Sequence, residues 1–175
     1  MRILLTSWIV LKTGFSGNEA AKREAEITIT ARENRNNIIG KPFAPDFGTL
    51  RGEALSMEDY RGKVVLIPFW SSAFPASLQM VPELQTIRDA SPDKIAIIGM
   101  NLDAGDPAQL IQFQQKQGLE FPSFDTIDSG NAQNVAKSFG LVSMPFLAIV
   151  NTEGKIAAIN LTGRDLKTTI ERLLP

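Results

Sequence analysis

"KVVLIPFWSSAFPASLQMVPEL" (Lys63–Leu84) joins a strand, a turn and a helix in one short run. Val64 to Phe69 is an almost unbroken apolar segment rich in β-branched residues, the pattern of a strand covered on both faces. Ser71 and Ser72 interrupt it, and a helical pattern then runs from Pro75 to Ala90. Strand-to-helix junctions of this kind are where many α/β proteins place their chemistry. Yet the stretch holds no cysteine, no histidine and no carboxylate before Glu83.

Working outward, two further apolar runs have the same character: "IAIIGMNL" (Ile95–Leu102) and "FLAIV" (Phe146–Val150). Helical patterns at Asp106–Gln117 and Asn131–Phe139 alternate with them. "NTEG" (Asn151–Gly154) predicts a hairpin turn into "KIAAINLT", and a closing helix is expected over Arg164–Leu173. "GTLRGEALSMEDYRGK" (Gly48–Lys63) reads as a hairpin followed by a turn. Alternating β and α elements ending in an antiparallel hairpin specify an α/β fold, a central mixed sheet flanked by helices.

Ahead of this domain, residues 1–37 read as a helical segment, an αα-hairpin that would be the end of a longer helical module. The run Ile3–Leu11 is too short to span a bilayer. Its length fits a signal-peptide core, but the cleavage site is poor and a short helix is the preferred reading. In the second helix Ala21, Ala25 and Ile29 recur every fourth residue and mark its expected apolar face. The main domain is placed at 38–175.

Composition narrows the chemistry further. Eighteen Lys and Arg stand against nineteen Asp and Glu, a net charge of −1, with no basic stripe to favour nucleic acid and nothing that favours direct membrane insertion. The chain has no cysteine, hence no disulfide, dithiol couple, thiolate nucleophile or thiolate metal site. It has no histidine either, so a Ser–His pair is excluded and acid–base work would fall to Asp, Glu, Lys or Tyr60.

Several short motifs, in order, resemble one family. "IGKPFAPDF" (Ile39–Phe47) resembles its Gly-Lys-x-Ala-Pro-x-Phe opening, and "EDYRGKVVLIPFW" its Gly-Lys-Val-Val-Leu-x-Phe-Trp strand. "MVPELQTI" resembles the end of its first helix, and "FGLVSMPFLAIVNTEGKI" its cis-proline block. The region from Ile38 to Pro175 is thereby similar to the thioredoxin-like superfamily, in its TlpA/ResA-type redoxin branch of thiol:disulfide oxidoreductases, related to AhpC/TSA proteins. The resemblance places the family's Cys-x-x-Cys on Phe74, Pro75, Ala76 and Ser77, and its cis-proline on Pro145 after Met144.

Both sulfurs are therefore missing. Dithiol exchange needs an attacking thiolate and a second thiol that resolves the mixed disulfide. Phe74 offers no nucleophile, and Ser77 has no imidazole to activate it. No catalytic residue, cofactor or metal is assigned.

The expected role is that of a redox-inactive binding or architectural module; the alternative keeps residual or partner-assisted redox activity. Candidate binding residues are Trp70, Phe74, Met144 and Pro145, an apolar surface for a protein or extended-peptide partner. Trp70 and Phe74 each carry a packing alternative. Ser71, Ser72 and Ser77 read as turn and cap residues. Asp103 and Asp106 raise the idea of a cation, but a helix cap at Asp106 before Pro107 explains them more simply. Gln112, Gln114, Gln115 and Gln117 are expected on a wet helix face. The family resemblance implies an extracytoplasmic location.

Overall fold

The computed structural model describes residues 17–46, 48–126 and 131–175. Helix α1 (Gly17–Ile38) precedes the domain. There follow β1 (Val64–Trp70), α2 (Val81–Asp89), β2 (Ile95–Ile97), β3 (Gly99–Asn101) and α3 (Pro107–Lys116). The chain closes with β4 (Ser123–Phe124), α4 (Asn131–Ser138), β5 (Phe146–Val150), β6 (Ile156–Ile159) and α5 (Gly163–Leu173). The expected first helix of the hairpin, over Ile3–Lys12, lies outside the described residues.

The sheet runs β4-β3-β1-β5-β6, with β2 also paired to β1. β1 is parallel to β2 and β3 but antiparallel to β5, and β5–β6 is the expected hairpin. The sheet is thus mixed, with β1 at its centre. Side chains of β1 alternate between two cores. Val64, Leu66 and Trp70 join Leu84, Leu110, Leu166 and Ile170 on the side of α2, α3 and α5. Val65, Ile67 and Phe69 join Phe43, Phe139, Met144 and Phe146 on the side of α4. Burying each such side chain contributes roughly 1.5–3 kcal/mol, so the strand is fixed by its sides as much as by its ladder.

Four expectations change. The run Ile95–Leu102 forms two short strands instead of one, broken at Ile98. Ile98 donates its N–H to Leu66 O at 3.0 Å, and Leu102 donates to Trp70 O at 3.0 Å, so the even-numbered residues of β1 face this neighbour. Pro68 belongs to that set and has no N–H to give, so the ladder loses a rung beside Ile98. The hairpin expected over Gly48–Lys63 is instead a turn, with Thr49 bridging Phe124, followed by a 3-10 turn at Met57–Tyr60. The expected helix from Pro75 to Ala90 divides into a 3-10 turn, Pro75–Leu78, and α2.

The fourth change concerns the face of α1. Ala21, Ala25 and Ile29 are exposed, whereas Ala31 is buried and Asn34, Arg35 and Ile38 are half-buried. Only the carboxyl-terminal half of α1 packs on the domain. Asn34 Nδ2 donates to Lys137 O at 2.8 Å, and a Cβ on Gly140 would fall 2.0 Å from Ala31 O. Gly140 has φ +61°, so both its conformation and the close approach require glycine.

A second tight contact lies inside the sheet. A Cβ on Gly99 would sit 2.3 Å from Ser123 Oγ and 2.8 Å from Trp70 Nε1. Gly99→Ala is expected to cost about 1–3 kcal/mol through overpacking, measured by urea unfolding; parental stability would refute this packing account. Tyr60, the chain's single tyrosine, is half-buried, and burial, followed by the nearby Asp59 charge, pushes its phenol upward. The folded phenol holds its proton longer, so this contribution is full below the unfolded pKa of about 10 and is lost as pH rises through the folded value. Absorbance titration is expected to give a midpoint above about 10 in the native protein that falls back in denaturant.

Candidate functional site

The loop after β1 carries the residues singled out from sequence, and it is closed by hydroxyl and carboxylate groups. Ser77, fully buried, donates from Oγ to Phe74 O at 2.6 Å and accepts from Ser71 N–H at 3.2 Å. Phe74 N–H donates to Ser71 O at 3.1 Å and Ser77 N–H to Phe74 O at 2.8 Å, completing the turn. From the loop after β3, Asp103 reaches across. Its Oδ1 accepts from Ser71 Oγ, and its Oδ2 accepts from Ser72 N–H at 2.7 Å and from Asn101 Nδ2 at 3.2 Å.

The Ser71 and Ser77 hydroxyls and the amides of Ser71, Ser72 and Phe74 are therefore committed within the protein, while the Ser72 side chain is exposed. The Ser77 hydroxyl is spent on the backbone of its own turn, and Asp103 touches Ser71 rather than Ser77. The pair needed for nucleophilic attack, a free nucleophile and a base within reach of it, does not form at Ser77. Sequence reasoning noted Asp103 only as a cation candidate and missed that it braces this loop. Its role depends on contacts 31 and 32 residues away, which no local pattern displays. Asp106 does cap α3, accepting from Ala108 N–H at 3.0 Å with Pro107 in the first turn. No cluster of metal-ligating side chains occurs among the described residues.

The four candidate binding residues separate. Phe74, half-buried, and Met144, buried, line one open hollow of about 180 Å³ with Ser71, Leu102, Ala136 and Leu141. Pro145 follows through a cis peptide bond and is partly exposed beside it. Trp70 points into the opposite core, wholly buried. Its indole stacks on Phe113, with ring centroids 5.9 Å apart and an interplanar angle of 9°, and its Nε1 donates to Ser123 Oγ at 3.0 Å. Gln114, expected on a wet face, is buried there instead and donates to Ser123 Oγ at 2.8 Å and to Phe121 O at 3.2 Å. Trp70 is thus a support beneath the loop, on the far side of the sheet from the hollow.

The hollow rests on aromatic packing. Phe69, in the last turn of pleat before the loop, meets Phe139 and Phe146 edge-on with centroids 5.0 Å away in both cases. Phe43 closes the cluster against Phe124 and Phe139. Such edge-to-face contacts contribute about 0.5–1.5 kcal/mol each beyond area burial.

A β1 strand leading into this turn, a cis-proline opposite it and a closing β5–β6 hairpin describe a known arrangement. The redoxin family profile matches residues 39–174. The chain belongs to the redoxin family. It is 29% identical over 135 residues to the thioredoxin-like protein YneN of Bacillus subtilis, covering 75% of this chain and 76% of that one. It is 28% identical over 116 residues to the thiol-disulfide oxidoreductase ResA of Halalkalibacterium halodurans, covering 65% and 62%. Among solved structures, the thioredoxin domain of a Bacteroides vulgatus thiol-disulfide oxidoreductase superposes with a TM-score of 0.66 at 25% identity, covering 78% of this chain and 98% of that one. The carboxyl-terminal domain of a putative thiol-disulfide oxidoreductase from Bacteroides thetaiotaomicron gives 0.63 at 28%, covering 77% and 95%. This member of the redoxin family has the thioredoxin-like fold without a single thiol.

Asp103→Ala removes the acceptor shared by two loop groups and Asn101. The expected cost is about 1–3 kcal/mol, with faster hydrogen exchange at the Ser72 amide. Unchanged exchange there would show that the carboxylate does not hold the loop.

Proposed function

We propose that this redoxin is a non-catalytic module that binds an extended apolar segment of a partner protein at the Phe74–Met144 hollow. One observation carries the reading: where the resemblance places the reactive turn, the buried Ser71 and Ser77 hydroxyls are spent internally, and the half-buried Phe74 borders an apolar hollow. Aromatic and methionine side chains make adaptable apolar contact surfaces. A thiolate-dependent exchange has no side chain to begin it. The resemblance to the TlpA/ResA branch also favours an extracytoplasmic location, which fractionation of the host cell tests directly.

Two measurements separate binding from residual catalysis. The wild-type chain is expected to leave insulin unreduced above the dithiothreitol background, and turnover would overturn the non-catalytic reading. The double variant Phe74→Cys, Ser77→Cys is expected to gain turnover if the turn retains the geometry of its relatives. For binding, fluorescein-labelled heptapeptides of Leu, Val and Phe serve as probes. Phe74→Asp is expected to weaken their binding by about tenfold or more, the loss of a desolvated aromatic contact. Equal binding by wild type and variant, or none by wild type, would remove this surface from the account.

A further inference from the structure

A second groove, sharing no lining residue with the hollow, runs between α1 and the edge strand β6. It encloses about 350 Å³ and is lined by Thr28, Arg32, Arg35, Asn36, Ile39 and Ile159. We propose that this groove receives an extended acidic segment of a partner protein, which adds a strand to the outer edge of β6.

Three observations converge on that occupant. The first is charge. Two of the lining side chains are arginines and none is a carboxylate. Arg32 has no ion pair or hydrogen bond among the described residues. Arg35 commits only its Nε, to Ala31 O at 3.2 Å, which leaves both terminal nitrogens of the guanidinium unpaired among the described residues. Guanidinium groups in this state fit carboxylates in paired geometry.

The second observation is the backbone. Asn160 N–H donates to Leu147 O at 2.7 Å, so Asn160 belongs to a hydrogen-bonded pair of the β5–β6 ladder. Ile159, opposite Ala148, is then the intervening non-bonded residue, and its N–H and C=O turn to the outside of the sheet. β6 is the last strand on that side. One turn earlier, the outward groups of Ile156 are already covered: Gly40 N–H donates to Ile156 O at 2.7 Å, and Ile156 N–H to Lys41 O at 2.9 Å. The edge is open at Ile159 and closed just before it, the local form of a site for strand addition.

The third observation is apolar exposure. Ile39 is 48% exposed at the groove, and Ile159 is half-buried beside it. A strand alternating acidic and β-branched residues would present carboxylates to the arginines on one face and apolar side chains to the isoleucines on the other. The small volume suits a few residues of extended chain rather than a folded element.

The probe is a fluorescein-labelled hexapeptide, Glu-Val-Glu-Val-Glu-Val, titrated into the full chain at low ionic strength and read by anisotropy. Binding is expected to weaken with added salt and to fall by about tenfold or more in Arg32→Glu, an exposed position whose change leaves the fold intact. The matching Lys-Val hexapeptide is expected not to bind. Hydrogen exchange on the wild-type protein tests the strand itself: the Ile159 amide is expected to exchange quickly alone and to become protected with peptide. Equal binding of the two peptides, insensitivity to Arg32→Glu, or binding without protection at Ile159 would each overturn the proposal. So would a dimer in sedimentation whose Ile159 amide is protected without peptide, since a second copy would then occupy the groove. Binding at the Phe74 hollow stays unaffected by Arg32→Glu, so the two surfaces fail or stand separately.

Discussion

The complete burial of β1 is the constraint on which the rest of the molecule depends. Its seven residues have almost no contact with solvent, and their side chains alternate between two cores. A strand in that position must be paired on both edges and covered on both faces, or its backbone groups lose water without gaining partners. β5 meets it from one side, β2 and β3 from the other, and the helices close the two faces. The loop that begins at Ser71 is launched from this fixed strand. Its position is therefore set by the core, and its chemistry is free to vary.

That freedom accounts for how the turn on which the resemblance places a dithiol is held together without sulfur. A thiol is a weak hydrogen-bond donor, whereas a hydroxyl of similar size donates and accepts well. Ser77 uses both capacities, one to Phe74 O and one from Ser71 N–H. The position that the resemblance assigns to the second cysteine thus becomes a cross-brace of the turn. Asp103 adds a hydrogen-bonded tie from the neighbouring loop. The consequence is a loop whose buried hydroxyls are satisfied within the protein, with Phe74 and Met144 lining the hollow beside it.

Much of this architecture was legible because it rests on local pattern. The apolar run from Val64 was visible as a doubly covered strand, and the motif around Pro145 carried the resemblance that implied a cis-proline. Other features were hidden for identifiable reasons. The break at Ile98 comes from Pro68 on a different strand, so the sequence of β2 and β3 gives no sign of it. β4 has only two residues, too short for any periodicity to register. On α1 the regular spacing of Ala21, Ala25 and Ile29 described a real helix but the wrong face. Ala31, Asn34 and Arg35 meet the domain because Gly140 admits them, a fact held at the other end of the chain. Trp70 shows the reverse case: its site-like position at the end of β1 is real, yet the pleat sends its indole to the opposite core.

Gly140 also ties the helical extension to the hollow. It receives the backbone of Ala31, and the next residue, Leu141, lines the hollow with Phe74. On α4, Ala136 faces the hollow while the carbonyl of Lys137 accepts from Asn34 of α1. Leu141 N–H in turn donates to Ala136 O at 2.8 Å, which locks the two wall residues together. Close-packed interiors transmit small displacements because they have no slack to absorb them. The seat of α1 and one wall of the hollow are consequently a single mechanical unit. A displacement of the carboxyl-terminal half of α1 would therefore bear on Ala136 and Leu141, two of the residues that shape the apolar surface.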